Sequence, residues 1–208
     1  AQDGATITYV VTVTDTNDES PVFTSSDTIN VAEGATAVVT LTSTDGDAAD
    51  SGGPTYAIDT NDNNLFSING AVVTLTNAAD FETPGCGSSS NTCTIVVSAT
   101  DLNSQVTQQT ITVTITDVND QTPTYTAGDT TPSVAEGTTA VDTAVAITDT
   151  DTGDANVCTL AGSDAALFTC TLTGQTAYSL AFTNAPDFET DASTDGDGDY
   201  DVTVTIND

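Results

Sequence analysis

The segment Val31-Ala32-Glu33-Gly34 recurs as Val134-Ala135-Glu136-Gly137, 103 residues further along a chain of 208 residues. Two more segments recur in the same order, at offsets of 107 and 102 residues: Asp80-Phe81-Glu82-Thr83 as Asp187-Phe188-Glu189-Thr190, and Asp15-Thr16-Asn17-Asp18 as Asp117-Val118-Asn119-Asp120. A repeat of about a hundred residues has the size of a domain and not of a solenoid unit. The chain therefore contains a duplicated domain-sized pattern.

Apolar residues alternate with threonine in short runs, and clusters of Gly, Asp, Asn and Pro separate the runs. Alternation with a period of two predicts β-strands, and no segment has a convincing helical period. In the first repeat the pattern predicts seven strands, at residues 28–31, 36–43, 55–58, 65–68, 71–76, 93–99 and 106–116. Seven short antiparallel strands per hundred residues indicate an all-β fold, a Greek-key β-sandwich in each repeat.

The charge balance excludes most catalytic classes and nucleic-acid binding. The chain carries 31 Asp and Glu and no Lys, Arg or His, which gives a net charge of -31. It has no imidazole base, no Schiff-base lysine and no cation that could neutralise phosphate. Paired carboxylates could in principle hydrolyse glycosides, but here they fall in the metal motifs described below. We therefore expect no enzymatic activity and no nucleic-acid partner. We also expect no membrane insertion, because no run approaches 18 apolar residues.

Several motifs that recur in the same order resemble the cadherin repeat. They are the two Val-Ala-Glu-Gly segments, the pairs Asp45-Gly46-Asp47 and Asp149-Thr150-Asp151, the two Asp-Phe-Glu segments, the strand end Ala99-Thr100-Asp101, and the Asp-x-Asn-Asp linkers followed by Ser20-Pro21 and Thr122-Pro123. Together they span nearly the whole chain. The resemblance implies two tandem cadherin-like Greek-key β-sandwiches.

The phase of the repeat differs at the two ends of the chain. Aligning the linker motifs places residues 5–14 on the last strand of the first repeat, whereas Val202–Asp208 aligns with its penultimate strand. We therefore predict that the second domain lacks its last strand and that the chain starts with a strand of that kind. The predicted segments are a donor strand at 1–14, a calcium-binding linker at 15–19, domain 1 at 20–116, a calcium-binding linker at 117–121 and domain 2 at 122–208.

A sandwich without its last strand exposes an unpaired sheet edge, which recruits other chains. A domain built from strands of about ten residues is about 35–45 Å long. We therefore expect that the donor strand cannot reach domain 2 of its own chain. It would insert into domain 2 of an identical subunit, with Ile7, Tyr9, Val11 and Val13 facing the core. Such a head-to-tail contact favours a filament. The alternative to a filament subunit is a segment of a long cadherin-like adhesin. Any segment two repeats long, taken from a longer tandem array, starts and ends at the same point of the repeat, so the phase fits this alternative as well.

The resemblance assigns the motif residues as calcium ligands, and calcium prefers six to eight oxygen atoms. Four of the five Glu fall in these motifs. The junction inside the chain would use Glu33, Asp80, Glu82, Asp117, Asn119, Asp120, Asp149, Asp151 and Asp208. The junction between subunits would use Glu136, Asp187 and Glu189 of one copy with Asp15, Asn17, Asp18, Asp45, Asp47 and Asp101 of the next.

One acidic segment outside these motifs, Asp195–Asp201, resembles the start of an EF-hand calcium loop. Tyr200 takes the sixth position, where the loop needs Gly, and the glutamate of the twelfth position is missing. A flexible acidic turn is the favoured interpretation.

The four cysteines form two pairs that are close in sequence, Cys86 with Cys93 and Cys158 with Cys170. Zinc binding is the alternative, but the chain has no His and neither pair has the short C-x-x-C spacing. We therefore predict two local disulfides, which indicate a secreted, extracellular or cell-surface protein. Identical subunits are the expected partners, and the sequence indicates no particular glycan or cell-surface ligand.

Overall fold

The computed structural model describes residues 4–47, 53–125, 128, 130–151, 153 and 155–208. Residues 1–3 of the predicted donor strand lie outside these ranges. The chain divides into two compact units, unit 1 up to Thr116 and unit 2 from Asp117 to Asp208. Within the ranges just given, no helix is long and apolar enough to span a membrane.

Unit 1 is an all-β unit with one 3₁₀ turn at Asp62–Asn64. Its strands are β1 Val22–Phe23, β2 Thr28–Ala32, β3 Ala37–Thr40, β4 Ser43–Thr44, β5 Thr55–Asn61, β6 Phe66–Asn69, β7 Val72–Leu75, β8 Thr92–Thr100 and β9 Val106–Thr116. Each of the seven predicted strands is present. The predicted strand 36–43 ends at Thr40, and β1 and β4 are additional; two residues are too few to produce a readable period.

The strands of unit 1 form sheets in the orders β2-β9-β8-β5 and β3-β7-β6, with β1 paired to β4. Strand β9 is central, because it runs parallel to β2 on one side and antiparallel to β8 on the other. The alternation of β9 places Ile111, Val113 and Ile115 in the core, each at most 5% exposed. The longest predicted strand is thus the strand around which the unit 1 core is built.

Unit 2 contains six strands among its described residues and a 3₁₀ turn at Ala165–Leu167. The strands are β10 Thr124–Tyr125, β11 Ala140–Thr148, β12 Val157–Ala161, β13 Phe168–Thr173, β14 Ala177–Phe182 and β15 Thr203–Asn207. They form sheets in the orders β10-β11-β14-β13 and β12-β15. The all-β class predicted from the sequence is confirmed.

The register of unit 2 reproduces that of unit 1. Cys158 pairs with Ile206 as Tyr56 pairs with Ala99, so β12 and β15 correspond to β5 and β8 at offsets of 102 and 107. The described part of unit 2 has no strand in the place of β9. Residues 131–135, which correspond to β2, also lie outside any strand. Strand β15 therefore has a pairing partner on the β12 side alone within the described residues, and we call its other side, together with residues 131–135, the acceptor edge.

Residues 4–14, which we call the donor segment, lie outside any helix or strand. Their apolar side chains face solvent: Ile7 is 71% exposed, Tyr9 79%, Val11 81% and Val13 91%. Val10, on the opposite face of an extended chain, is 92% exposed. An alternating apolar segment of this kind gains stability when another sheet covers it.

Both predicted disulfides are confirmed, Cys86–Cys93 and Cys158–Cys170. The first lies in unit 1 between a turn and β8, and both of its cysteines are buried. The second joins β12 to β13, which belong to different sheets of unit 2. It therefore fixes the two sheets to each other through a covalent bond.

Candidate metal centres

The Asp47 carboxylate binds the backbone of the first linker, residues 15–19. Asp47 lies just after β4 and is 9% exposed, and its Oδ2 accepts hydrogen bonds from the backbone amides of Asp18 at 3.0 Å and Glu19 at 2.8 Å. Its own amide donates to Asp45 Oδ1 at 3.1 Å. One carboxylate thus fixes the backbone of the Asp-x-Asn-Asp linker.

Asp101 directly follows β8 and lies near the same linker. It is 6% exposed, and its Oδ1 accepts a hydrogen bond from the Gln105 amide at 2.7 Å. In the turn between them, Asn103 Nδ2 donates to the carbonyl oxygen of Asn17 at 2.8 Å. The turn after β8 therefore carries both a buried carboxylate and a contact to the linker.

Several oxygen atoms of this region are buried and accept no hydrogen bond from the described residues. They are Asn17 Oδ1, Asp45 Oδ2 and Asp101 Oδ2. A buried anionic oxygen without a donor is unfavourable by several kcal/mol unless a positive charge compensates it. The chain has no Lys, Arg or His to supply that charge. These oxygens therefore fit a hard divalent cation.

Unit 2 repeats the linker arrangement. Asp151, 8% exposed, accepts hydrogen bonds at Oδ2 from the amides of Asp120 at 2.9 Å and Gln121 at 2.7 Å, and its amide donates to Asp149 Oδ1 at 3.3 Å. Its Oδ1 is buried without a hydrogen bond from the described residues. Asp149, Asp151 and Asp208 each offer a carboxylate oxygen within 4.8 Å of the others. Asp208 follows β15 as Asp101 follows β8.

The Val-Ala-Glu-Gly and Asp-Phe-Glu motifs come together in unit 1. Glu33 is 8% exposed, and its Oε2 accepts a hydrogen bond from the Phe81 amide at 2.8 Å. A carboxylate oxygen of Glu82 lies within 4.8 Å of one of Glu33. Asp80 Oδ1 accepts from the Thr83 amide at 2.9 Å, which shapes the turn. Two residues far apart in sequence thus present their carboxylates together.

The same motifs meet in unit 2, but at the surface. Glu136, Asp187 and Glu189 offer oxygens within 4.8 Å of one another, and all three are exposed. The Phe188 amide donates to Glu136 Oε2 at 3.2 Å, which reproduces the Glu33 contact. The backbone hydrogen bond between the two motifs is therefore present in unit 2, although the carboxylates of Glu136, Asp187 and Glu189 are exposed to solvent.

The structure brings some predicted ligands together and leaves others apart. Asp15, Asn17, Asp18, Asp45, Asp47 and Asp101 do not form a group of three carboxylates within 4.8 Å among the described residues. Asn119 and Asp117 lie in the second linker, at the start of unit 2. The assignment of all these residues to calcium stays a prediction.

Two further carboxylates position loops and lie outside the predicted ligand motifs. Asp62 and Asp164 occupy equivalent places before β6 and β13. Asp62 accepts hydrogen bonds from the amides of Gly87 and Thr94, and Asp164 accepts from those of Thr194 and Asp201. The offset of 102 residues between them is the signal that could have identified the pair.

The hydrogen bonds to Asp164 also change its acidity. The Thr194 hydroxyl first, and then the Asp201 amide, lower the pKa of the Asp164 carboxyl below its ordinary value. The segment Asp195–Asp201 is thus bound to Asp164 through the amide of its last residue. A second contact holds its middle, since the Gly198 amide donates to Asp191 Oδ2 at 3.0 Å. Two amides of this acidic segment are thus held by carboxylates, and the interpretation of a flexible turn stays a prediction.

Comparison with known proteins identifies the fold. Residues 27–116 match the family model of the cadherin domain. The fold is cadherin-like. A search of curated proteins gives no match.

Solved cadherin ectodomains resemble the chain over most of its length. PcdhgB3 EC1-4 shares 27% identity with a TM-score of 0.58, covering 85% of this chain and 44% of that one. The human desmocollin-1 ectodomain has 20% identity and a TM-score of 0.64, over 84% and 35% of the two chains. Mouse cadherin-23 EC22-24 has 19% identity and a TM-score of 0.54, over 85% and 57%. The chain therefore spans about half or less of each of these structures.

Proposed function

We propose that this chain is a calcium-stabilised extracellular structural module, whose cadherin-like units bind calcium through the carboxylates at their linkers. The observation that carries the proposal is the set of buried oxygens at Asn17, Asp45, Asp101 and Asp151 that accept no hydrogen bond from the described residues. Calcium suits them because it accepts irregular sets of carboxylate, amide and backbone oxygens, whereas magnesium demands a near-octahedral site. When bound, the ion would supply the positive charge that the chain lacks.

We further propose that subunits polymerise head to tail, with the donor segment of one copy paired to the acceptor edge of the next. Two observations support this. The donor segment carries the same apolar alternation as β9, and its apolar side chains are exposed. In unit 1, β9 fills the position that has no strand in the described part of unit 2.

The second candidate function is a segment of a longer calcium-dependent cadherin-like adhesin. The chain spans less than half of the PcdhgB3 and desmocollin-1 structures, which favours a place in a longer array. In that case a strand that follows residue 208 in the same polypeptide would pair with the acceptor edge. The donor segment would then belong to a preceding domain.

A truncation distinguishes the two candidates. We expect the full chain in calcium to form long rods in negative-stain images, and the variant without residues 1–14 to stay monomeric. The matched controls are Val10→Asp, on the outward face, and Val11→Asp, on the inward face; only the second should block assembly, because a carboxylate in the core is strongly unfavourable. Filaments that persist without residues 1–14 would contradict donor-strand assembly, and a full chain that stays monomeric in calcium would contradict polymerisation.

A further inference from the structure

Two equivalent phenylalanines have opposite environments. Phe81 in unit 1 is half-buried and packs against the hydrophobic core. Phe188 in unit 2 is 87% exposed. Both amides donate to the glutamate of the preceding motif, Glu33 at 2.8 Å and Glu136 at 3.2 Å. The turns that follow differ, since the Thr83 amide donates to Asp80 Oδ1 and the Thr190 amide donates to the Asp187 carbonyl oxygen.

The core that receives Phe81 includes side chains of β9. Val113 and Ile115 belong to that core, together with Val31 of the neighbouring β2. Unit 2 has Val134 in the place of Val31, but no described strand of unit 2 supplies counterparts of Val113 and Ile115. Phe188 is therefore exposed in a unit whose described residues have no counterpart of β9.

A cleft next to Phe188 provides space for apolar groups. It has a volume of about 310 Å³ and is lined in part by Phe182, Pro186, Asp187 and Tyr200. The rings of Phe182 and Tyr200 lie 5.1 Å apart, so one wall is aromatic. The chain continues directly from the cleft-lining Asp187 into Phe188.

The register of unit 1 places a donor segment beside one wall of this cleft, at Tyr200. Val113 of β9 pairs with Cys93, and Ile115 pairs with Val31. Transferred by the repeat offsets, Val11 of a donor segment faces Tyr200, and Val13 faces Val134. Val11 would thus lie beside the cleft-lining Tyr200, and Val13 would lie beside Val134, which packs against the unit 2 core.

We propose that Phe188 is a latch, which turns from solvent onto the donor segment of a second copy and closes the acceptor edge over Val11 and Val13. This inference rests on the proposed donor-strand assembly and adds a residue that determines its affinity. Burying an aromatic ring at the centre of an interface makes it a hot spot. Phe188→Ala should therefore weaken binding of the donor segment about tenfold, while the unfolding midpoint of the unassembled protein stays unchanged, because the ring is exposed there.

Tryptophan fluorescence provides a direct test, since the chain contains no Trp. The background is the 208-residue chain with Val11→Asp and Val13→Asp, which prevent self-assembly. Two variants are made in this background: Phe188→Trp and, as the matched control, Phe81→Trp. Each is titrated in calcium with a synthetic peptide of residues 4–19, and with the same peptide bearing the two Asp substitutions. Calorimetry measures binding of the peptide separately.

We expect the emission of the Phe188→Trp protein to shift to the blue with the native peptide and not with the substituted one, whereas Phe81→Trp emission stays constant. If the peptide binds but the Phe188→Trp emission does not shift and Phe188→Ala binds with unchanged affinity, the latch is wrong and the donor-strand assembly stands. If the native peptide does not bind at all, both are wrong.

Discussion

At the scale of single residues, the carboxylates of this chain have two kinds of environment. Asp47 and Asp164 are satisfied by backbone amides and shape the loops that they contact. Asp101 and Asp151 each present a buried oxygen that accepts no hydrogen bond from the described residues. The first kind stabilises the fold through its hydrogen bonds, whereas the second kind presents oxygens whose charge the proposed calcium would compensate.

Asp101→Asn tests this division. In calcium we expect the variant to lose most of the calcium-induced rise in melting temperature of unit 1, because a ligand charge is gone. In chelator we expect it to be at least as stable as the wild type, since the amide removes a buried charge and keeps an acceptor for the Gln105 amide. Calorimetry with and without calcium measures both, and Asp27→Asn, at an exposed position, is the control. Equal losses in both conditions would make Asp101 a purely structural residue.

Asp164 predicts a pH dependence. Its pKa is lowered in the folded protein, first by the Thr194 hydroxyl and then by the Asp201 amide. Stability from a lowered pKa is present above the pKa of the unfolded group and is lost as pH falls through the folded pKa. Urea unfolding in chelator should show Asp164→Asn less stable than wild type at neutral pH, with a gap that narrows in acid. A gap independent of pH would contradict this role.

At the scale of elements, the disulfide Cys158–Cys170 joins the two sheets of unit 2, in which β15 has one pairing partner within the described residues. Cys86–Cys93 closes a separation of only 7 residues, against 12 for the other. A crosslink stabilises more when it closes a longer loop.

We therefore predict that replacing Cys158 and Cys170 with Ser lowers the free energy of unfolding of unit 2 by about 3 kcal/mol. The matched control replaces Cys86 and Cys93 and should leave unit 2 unchanged. Denaturant unfolding in chelator, followed by circular dichroism, measures both. A double variant at 158 and 170 as stable as the wild type would show that the sheets hold together without the bond.

Sequence periodicity predicted the seven main strands of unit 1, because alternation of apolar residues over four or more positions marks a half-buried strand. It did not predict β1 and β4, which have two residues each. Nor could it separate Phe81 from Phe188, since identical Asp-Phe-Glu-Thr segments carry both. Their exposures differ because the tertiary structure around them differs, and an identical local sequence does not encode that.

The candidate site was predictable in part. The repeated motifs led to Glu33 and Glu82, and to Asp149, Asp151 and Asp208, whose carboxylates the structure brings within 4.8 Å inside each of these two sets. The loop-shaping role of Asp62 and Asp164 was not evident from either residue alone, because aspartate in a turn is common; only their repeat offset of 102 residues could have identified the pair. Which oxygens are buried is set by packing and not by the motif.

At the scale of the whole molecule, a net charge of -31 with no basic side chain rules out salt bridges between copies through side chains. Subunits of equal negative charge repel one another, and salt screens this repulsion over about 10 Å at 0.1 M. The proposed assembly would therefore rest on apolar strand pairing and on bound cations. The central claim is that pairing occurs in one register.

Register-specific crosslinking tests that claim most directly. Val97 pairs with Gln109 in unit 1, and the repeat offsets transfer this pair to Val204 of one copy and Ile7 of the next. The structure has no free cysteine among its described residues. Proteins carrying Ile7→Cys and Val204→Cys, purified separately and mixed in calcium under mild oxidation, should form a covalent dimer, and Thr8→Cys mixed with Val204→Cys should not. No crosslink between Ile7→Cys and Val204→Cys, or equal crosslinking from position 8, would contradict the donor-strand assembly.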